Sequence, residues 1–571
     1  MRLALSVRAL VRLLTGLFAL SLAGGVLFFH PGCVNVVVWA SFEKSDLLGE
    51  IADRYELTRP SEDLLCVRLD VVRKASGDAE DALSRASVAG GGDLPDVWSP
   101  AASTWVALLD RHRARAGLAP IVPASTPSVL KSPLVIAMPE PMAVALGWPR
   151  ADVSWREIFA LAQEPQGWAT RAHSEWGRFK LAKTNPLIST SGLHALIATY
   201  EMAGGSSIDD PRVVAFMRGV EASVVHYGST VSAFLLNLAE ADDRDEALTY
   251  VSAIAMEEKQ VWDYNRGNPE FRPQPTRLPP KVKLVAIYPS EGTLMADHPY
   301  VVLPWVDDQK RRAATRFLDH LRSEAVQQEF LNNAFRGARG ETGDPIDKSP
   351  ELNRSKPSIL FAPRDPRSLE QVQSSWVTYR KRARVLLVMD TGSSMGERVA
   401  SASNTKLDLA KQAWASALDG FAPEDEVGLW TIAGTEHREI VALGLLRDQR
   451  GQLRSELDRL APQGRGPSLY TAVSDAVAAL RQRFARDRIN AVVLLTDGRN
   501  TDVSNNDLNG LLRSLRAQPE DERVRVFAIA YGAAADRDTL AKIAHASRGV
   551  FYEASDPRVI NRVLLDLVSS F

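Results

Sequence analysis

Val385 to Met389 are five apolar residues in unbroken succession, and Asp390-Thr391-Gly392-Ser393-Ser394 follows at once. A run without alternation fits a strand covered on both faces, as in a parallel sheet. Ligands of open α/β sheets sit beyond the carboxyl ends of strands, so these small oxygen-bearing residues fall where a site belongs. A carboxylate with hydroxyls, and no Cys or His, is a hard-oxygen set suited to Mg²⁺, Mn²⁺ or Ca²⁺. An ordinary strand-to-helix turn with Ser and Asp caps gives the same local pattern.

The chain downstream adds strand patterns at 426–433, 491–498 and 524–530, with helical patterns at 407–418, 471–484, 508–515 and 540–546. Such alternation means βαβ units and a mostly parallel sheet. Four motifs stand in order: Asp390-Thr-Gly-Ser-Ser394-Met, Gly466-Pro-Ser-Leu-Tyr470, Thr496-Asp497-Gly498 and Ala528-Ile-Ala-Tyr-Gly532. Together they resemble a von Willebrand factor type A (VWA) domain over roughly 380–571. The resemblance implies a Rossmann-like fold and a metal-ion-dependent adhesion site. In that family an Asp-x-Ser-x-Ser loop, a Thr and a second Asp hold one divalent cation, leaving a position open for a partner's acidic group. Asp390, Ser394 and Asp497 match. Gly392 stands where the first Ser is expected, with Ser393 beside it; Pro467 stands near the expected Thr, with Ser468 the nearest hydroxyl. Water can replace a missing oxygen, since Mg²⁺ keeps several waters. The implied metal set is therefore Asp390, Ser393, Ser394, Ser468 and Asp497, holding Mg²⁺ or Mn²⁺, with Ca²⁺ as the alternative.

The first half carries a second α/β pattern. A strand at 34–39 leads through Ser41 to a helix at 45–55. Asp96-Val97-Trp98 ends in Ser99-Pro-Ala-Ala-Ser103 before a helix at 105–109. A third strand spans 133–138, and Lys183 to Gly192 precedes a helix at 193–202. Ser/Thr-rich turns thus lead into helix starts, where free N–H groups and hydroxyls suit an anion or polar ligand. Each hydroxyl taken singly also reads as an N-cap. Trp39-Ala-Ser41-Phe-Glu-Lys, Asp96-Val-Trp-Ser99-Pro, Ser132-Pro-Leu-Val-Ile-Ala137, Thr184-Asn-Pro with Ser189-Thr-Ser191-Gly192, and Tyr288-Pro-Ser-Glu-Gly-Thr293 resemble the extracellular solute-binding proteins of bacterial importers. That resemblance implies two lobes with a small polar or anionic ligand between them. It places Ser41, Ser99, Ser103, Thr184, Ser189, Thr190 and Ser191 on the cleft.

The expected plan is an anchor or signal sequence at 1–30, a solute-binding-like domain at 31–335, a linker with a short helix at 336–380, and the VWA domain at 381–571. Arg2, Arg8 and Arg12 flank the uncharged run 13–29. Arginines on the near side predict a cytoplasmic N-terminus and an exported body. Apolar residues continue past a possible cleavage point at Ser21-Leu-Ala23, which favours a single-pass anchor in the cytoplasmic membrane. The only two cysteines, Cys33 and Cys66, begin strand patterns. If those strands pair in parallel, the sulfurs lie within reach of a disulfide, which an exported location permits. Lipidation of Cys33 or two free thiols are the rival fates. Pro and Gly punctuate 336–375, a linker composition. The helix at 368–379 is expected to pack Trp376 on one domain.

A net charge of −2 with 24% charged residues provides no basic excess, which excludes nucleic acid as a partner. Glu257 and Glu258 read as a solvated helix face. His298 and His545 lack a second ligand at metal spacing, and His298 reads as a structural residue ahead of Pro299. Ser393 has no triad partners. Trp98, Trp105, Trp262 and Trp305 read as core or cleft wall, and Arg380 to Arg384 as a solvated edge. A solute-binding unit and a VWA domain on one anchored chain resembles actinobacterial-type surface proteins described by those two domains. The expectation is an α/β, non-enzymatic, membrane-anchored extracytoplasmic binding protein. Its VWA domain takes a carboxylate on a protein or polymer through a divalent cation. An importer-type solute receptor and an inert membrane-tethered scaffold are the alternatives.

Overall fold

A computed structural model describes residues 32–571 apart from 59–60, 63–64, 88–90, 92, 124, 205–206, 363, 400–402, 435 and 465. The anchor expectation falls on residues outside this range. Among the described residues no helix is long and apolar enough to cross a membrane.

The apolar runs of the first half become β1 (Cys33–Ala40), β2 (Ser61–Glu62), β3 (Leu65–Arg73), β4 (Val97–Ser99), β5 (Leu130–Pro139), β6 (Leu181–Ala182), β7 (Ala253–Glu257), β8 (Leu284–Ile287), β9 (Met295–Ala296), β10 (Val301–Val302) and β11 (Arg336–Gly337). They build two lobes. One sheet has the order β10-β4-β1-β3-β2; the other has β11-β5-β7-β6, with β8 and β9 also on β5. The chain crosses between lobes ahead of β5, again between β9 and β10, and a third time ahead of β11. β1 and β3 run parallel with Cys33 opposite Cys66. The two are disulfide-bonded, with their Cα atoms 4.4 Å apart.

The stretch read as a linker lies against this unit. β11 pairs with β5, and the Phe361 amide donates to the Thr293 carbonyl at 2.8 Å. Its Pro and Gly residues mark turns laid on a surface. Glu257 and Glu258, expected on a solvated face, are both buried. Glu258 accepts from the Arg336 guanidinium at 2.7 Å and from the Tyr288 hydroxyl. Those partners arrive from far along the chain, so local spacing could not reveal them. Arg380 was likewise expected in solvent and is buried, paired with Asp425 at 2.5 Å. Trp98 and Trp105 are core residues, as expected.

The helix Pro366–Tyr379 is started by Asp365, whose carboxylate accepts from the amides of Arg367 and Ser368, with proline preset at the first position. Leu369, Val372, Trp376 and Tyr379 form its buried stripe. Trp376 packs edge-on against Tyr227, ring centres 5.0 Å apart. The helix touches both lobes. Its Glu370 accepts from Arg111 at 2.6 Å and Arg115 at 3.0 Å in the first lobe, and Gln373 donates to the Pro186 carbonyl at 3.2 Å in the second.

The second half contributes β12 (Arg382–Asp390), β13 (Glu426–Ala433), β14 (Glu436–Leu445), β15 (Arg488–Thr496), β16 (Arg525–Tyr531) and β17 (Phe551–Ala554). Their order is β14-β13-β12-β15-β16-β17, with only β14 antiparallel in this sheet. The polar run Glu436-His-Arg-Glu439 hid the edge strand β14 from pattern reading. β12 lies between β13 and β15, so the chain departs to both sides there, the switch point of a doubly wound sheet. This unit docks on the second lobe: Asn237 donates to the Gly549 carbonyl at 3.1 Å, and the Tyr227 amide donates to the Ser570 carbonyl at 3.0 Å. The ion pair Arg548–Glu246 and the contact of His545 Nδ1 with Glu240, each at 2.7 Å, add to it.

Candidate functional sites

At the switch point, Asp390 ends β12 and Asp497 directly follows β15, so parallel register brings the two carboxylates to one edge. Both are buried. The Gly392 amide donates to Asp390 Oδ1 at 2.7 Å and the Thr496 hydroxyl to Oδ2 at 2.6 Å. Ser394 Oγ donates to Asp497 Oδ1 at 2.7 Å. Burial pushes the Asp390 carboxyl up to about 6, Asp497 adding to the shift and the two hydrogen bonds opposing it. Asp390, Ser394 and Asp497 therefore converge as read from sequence. Ser393 and Ser468 do not join them. Ser393 is exposed in a single turn of 3₁₀ helix, and Ser468 Oγ donates to the Gly434 carbonyl at 3.1 Å. Pro467 presents its ring toward Gly498, where a Cβ would lie 3.3 Å from Pro467 Cδ.

Sequence reasoning passed over Lys406. Its ammonium lies 2.8 Å from Asp497 Oδ2 and 2.7 Å from Glu397. It opens the helix Lys406–Ala417, where the positive dipole end disfavours a cation; a Lys at that position was the available sign of a nearby anion. Gly532, at φ +83°, closes the far side, its would-be Cβ 3.6 Å from Lys406 Cε and 3.9 Å from Asp497 Cβ. Two buried carboxylates and a hydroxyl fit a partly hydrated divalent cation through three side chains rather than five. Lys406 competes with such an ion for Asp497.

The second site is the cleft. Ser41, Ser189, Thr190 and Ser191 line a cavity of about 40 Å³, with Ser76, Thr230, Glu43, Glu257 and Gln260. Five helices begin there; Phe42–Leu57, Ser76–Ser84, Thr190–Ala203 and Val231–Asp243 have no side-chain cap hydrogen bond, while Glu258–Asn265 starts in a capping box of Glu257 and Gln260. Their positive ends meet at the cavity. The other three expected residues lie elsewhere. Ser99 Oγ donates to the Pro299 carbonyl at 2.8 Å, and Ser103 is exposed, its amide donating to Asp297 at 2.7 Å. Thr184 is buried, its hydroxyl without a hydrogen-bond partner among the described residues.

The lobes are closed. The Gly77 amide donates to the Ile188 carbonyl at 2.9 Å, and Trp105 Nε1 donates to Thr190 Oγ1 at 2.8 Å. A Cβ on Gly77 would fall 2.1 Å from the Leu187 carbonyl oxygen, so only glycine permits this approach. Beneath the cavity, Lys44 Nζ donates to Ser41 Oγ at 2.6 Å and lies 3.1 Å from His298 Nδ1. Glu257 Oε2 and His298 Nε2 face each other at 3.5 Å without other partners. Burial brings Lys44 down to about 8, opposed by Glu43 and Glu257. Burial and then Glu43 hold Glu257 well above the carboxylate range; burial and then Lys44 hold His298 neutral. One ligand atom each from Glu43, Glu257 and His298 lie within 4.8 Å of one another. With the Lys44 ammonium among them the set balances its own charge, as a buried ion network does.

The sequence model of the bacterial extracellular solute-binding proteins matches residues 36–336, more than half of the chain. The chain belongs to that family. The model of the von Willebrand factor type A domain matches residues 385–564, so this solute-binding family member also carries a VWA domain. Two uncharacterized proteins from two strains of Mycobacterium tuberculosis are each 24% identical over 532 residues, covering 90% of this chain and 74% of theirs. Among solved structures, a periplasmic thiamin binding protein aligns at 13% identity over 62% of this chain and 98% of its own, TM-score 0.43. A von Willebrand factor type A protein from Catenulispora acidiphila aligns at 18% identity over 33% of this chain and 42% of its own, TM-score 0.28.

Proposed function

We propose that this chain is a non-enzymatic binding protein working outside the cytoplasmic membrane, tethered there by the segment ahead of residue 32. Its VWA domain docks a carboxylate of a protein or polymer, and its cleft takes a small polar or anionic ligand. The observation that carries the reading is the convergence of Asp390, Ser394 and Asp497 from two separate loops at the sheet's switch point. A dication held there supplies an open coordination position that favours a partner's carboxylate. The chain's part is to fix the three oxygens: Thr496 and the Gly392 amide orient Asp390, and Ser394 orients Asp497. Titration calorimetry of the full chain with MnCl₂ and MgCl₂ tests this, followed by capture on immobilised poly-glutamate. The expected result is stoichiometric metal binding and capture lost in EDTA and in Asp497→Ala. Capture unchanged in both overturns metal-dependent docking.

The importer-receptor reading rests on four uncapped helix starts at one cavity. The closed cleft has room for one or two waters or an ion, so a larger ligand requires the lobes to open. The linker helix, bonded to both lobes, opposes that opening. A thermal-shift screen with oxyanions favours the receptor reading if one anion raises the melting temperature strongly. No shift with any anion, together with no metal binding, leaves the scaffold role.

A further inference from the structure

A second cavity, of about 370 Å³, lies where the second lobe meets the VWA domain. That volume is within the range of small-molecule sites. Its cations outnumber its carboxylates. Lys180 from the lobe is matched by Asp521 at 3.3 Å, Arg486 by Glu522 at 2.5 Å, Arg488 by Glu426 at 3.3 Å, and Arg523 by Glu520 at 2.8 Å. Three others are matched less well or by no carboxylate. Arg525 is buried, reaches Glu520 only at 3.7 Å, and its Nε has no partner. Among the described residues Lys381 Nζ meets only the carbonyls of Ala222 at 3.2 Å and Val224 at 3.0 Å. Arg178 is exposed at the rim, with no carboxylate in ion-pair range among the described residues.

Glu520 is also approached by Arg548 at 3.8 Å, so one carboxylate serves three guanidinium groups. Burial, and then Arg525, bring Lys381 down to about 8. Like charges gathered in a partly dry space repel one another, and a bound anion relieves that repulsion. Guanidinium forks suit oxyanions of phosphate or carboxylate geometry.

We propose that this cavity is an anion site for a small molecule bearing two or more phosphate or carboxylate groups. Because Arg178 and Lys180 belong to the lobe and Arg488, Arg523 and Arg525 to the VWA domain, the occupant fastens one to the other. The site is separate from both the cleft and the metal loops, sharing no lining residue with either.

Calorimetry on the full chain at low ionic strength, with inorganic pyrophosphate and with citrate as probes, tests the proposal. The expected result is one site per chain, weakened by added salt, with a melting temperature raised by the same probe. Tighter pyrophosphate identifies a phosphate ligand, and tighter citrate a polycarboxylate. Arg178→Glu changes an exposed side chain and is expected to weaken binding about tenfold. Lys381→Met is expected to do the same, and its melting curve without probe reports whether the fold is intact. Failure of both probes to bind, or Arg178→Glu and folded Lys381→Met binding as the unaltered chain does, overturns the proposal.

Discussion

The cleft and the VWA loop site are both made from strand ends and helix starts, yet they are assembled differently. At the loop site Asp390 and Asp497 sit at the ends of neighbouring strands of one sheet, so strand register alone sets their spacing. In the cleft Glu43 and Lys44 come from one lobe and Glu257 from the other, with His298 on the crossing segment. The first site exists whenever its domain is folded. The second exists only while the lobes are closed, and Gly77 against Ile188, with Trp105 on Thr190, is what closes them.

Four changes separate these two modes. The largest effect is expected from Cys33→Ser. Its disulfide spans 33 residues of sequence, and releasing that loop costs about 4 kcal/mol on the chain-entropy account. Denaturant melts should show the solute-binding unit weakened while Mn²⁺ affinity at the VWA domain holds. Gly77→Val comes next, at about 3 kcal/mol, because its Cβ meets backbone rather than a movable side chain. Small-angle scattering should report a larger radius of gyration, again with Mn²⁺ binding unchanged; loss of metal binding would mean that the two sites are not independent.

Lys406→Met acts on the other side of the comparison. Removing the ammonium that shares Asp497 is worth about 1 kcal/mol, so Mn²⁺ affinity should rise about fivefold with the cleft untouched. Weaker binding would show that Lys406 supports the site instead of competing for it. The smallest effect concerns Asp566 on the helix Ile560–Val568, which feels the charges of Asp78 and Lys74 in the first lobe. Burial, and then Asp78, push Asp566 up to about 6, with Arg562 and Lys74 opposing. An acid raised in the fold carries no penalty below about pH 4. It destabilises increasingly as pH rises through about 6. Asp566→Asn should therefore raise the melting temperature by about 2 °C at pH 7.5 and leave it unchanged at pH 4.

Most of the frame was legible because short apolar runs bounded by turn residues fit buried strands, and the pairing of Cys33 with Cys66 was open to reading because each cysteine begins a strand pattern, the parallel pairing itself coming from the fold. The loop site was legible in its three core residues because strand ends are local features. What escaped is long-range. Glu258 looked solvated until Arg336 and Tyr288 arrived from elsewhere in the chain. Arg380 looked like a surface charge until Asp425 came beside it. Ser99, Ser103 and Thr184 had the right chemistry, but the direction in which a turn leaves its strand is not written in residue type. At 336–375 the composition was silent on a related point: Pro and Gly mark turns, whether the turns hang free or lie against a wall.

The Cys33–Cys66 bond has a mechanical meaning. Any pull arriving through the chain ahead of Cys33 enters the fold at the first residue of β1 and is handed across covalently to β3. The parallel ladder between those strands is then spared shear, and the tug is spread over two roots of the sheet instead of one. A protein hauled by its leading end would keep its first lobe intact under loads that unzip an uncrosslinked strand.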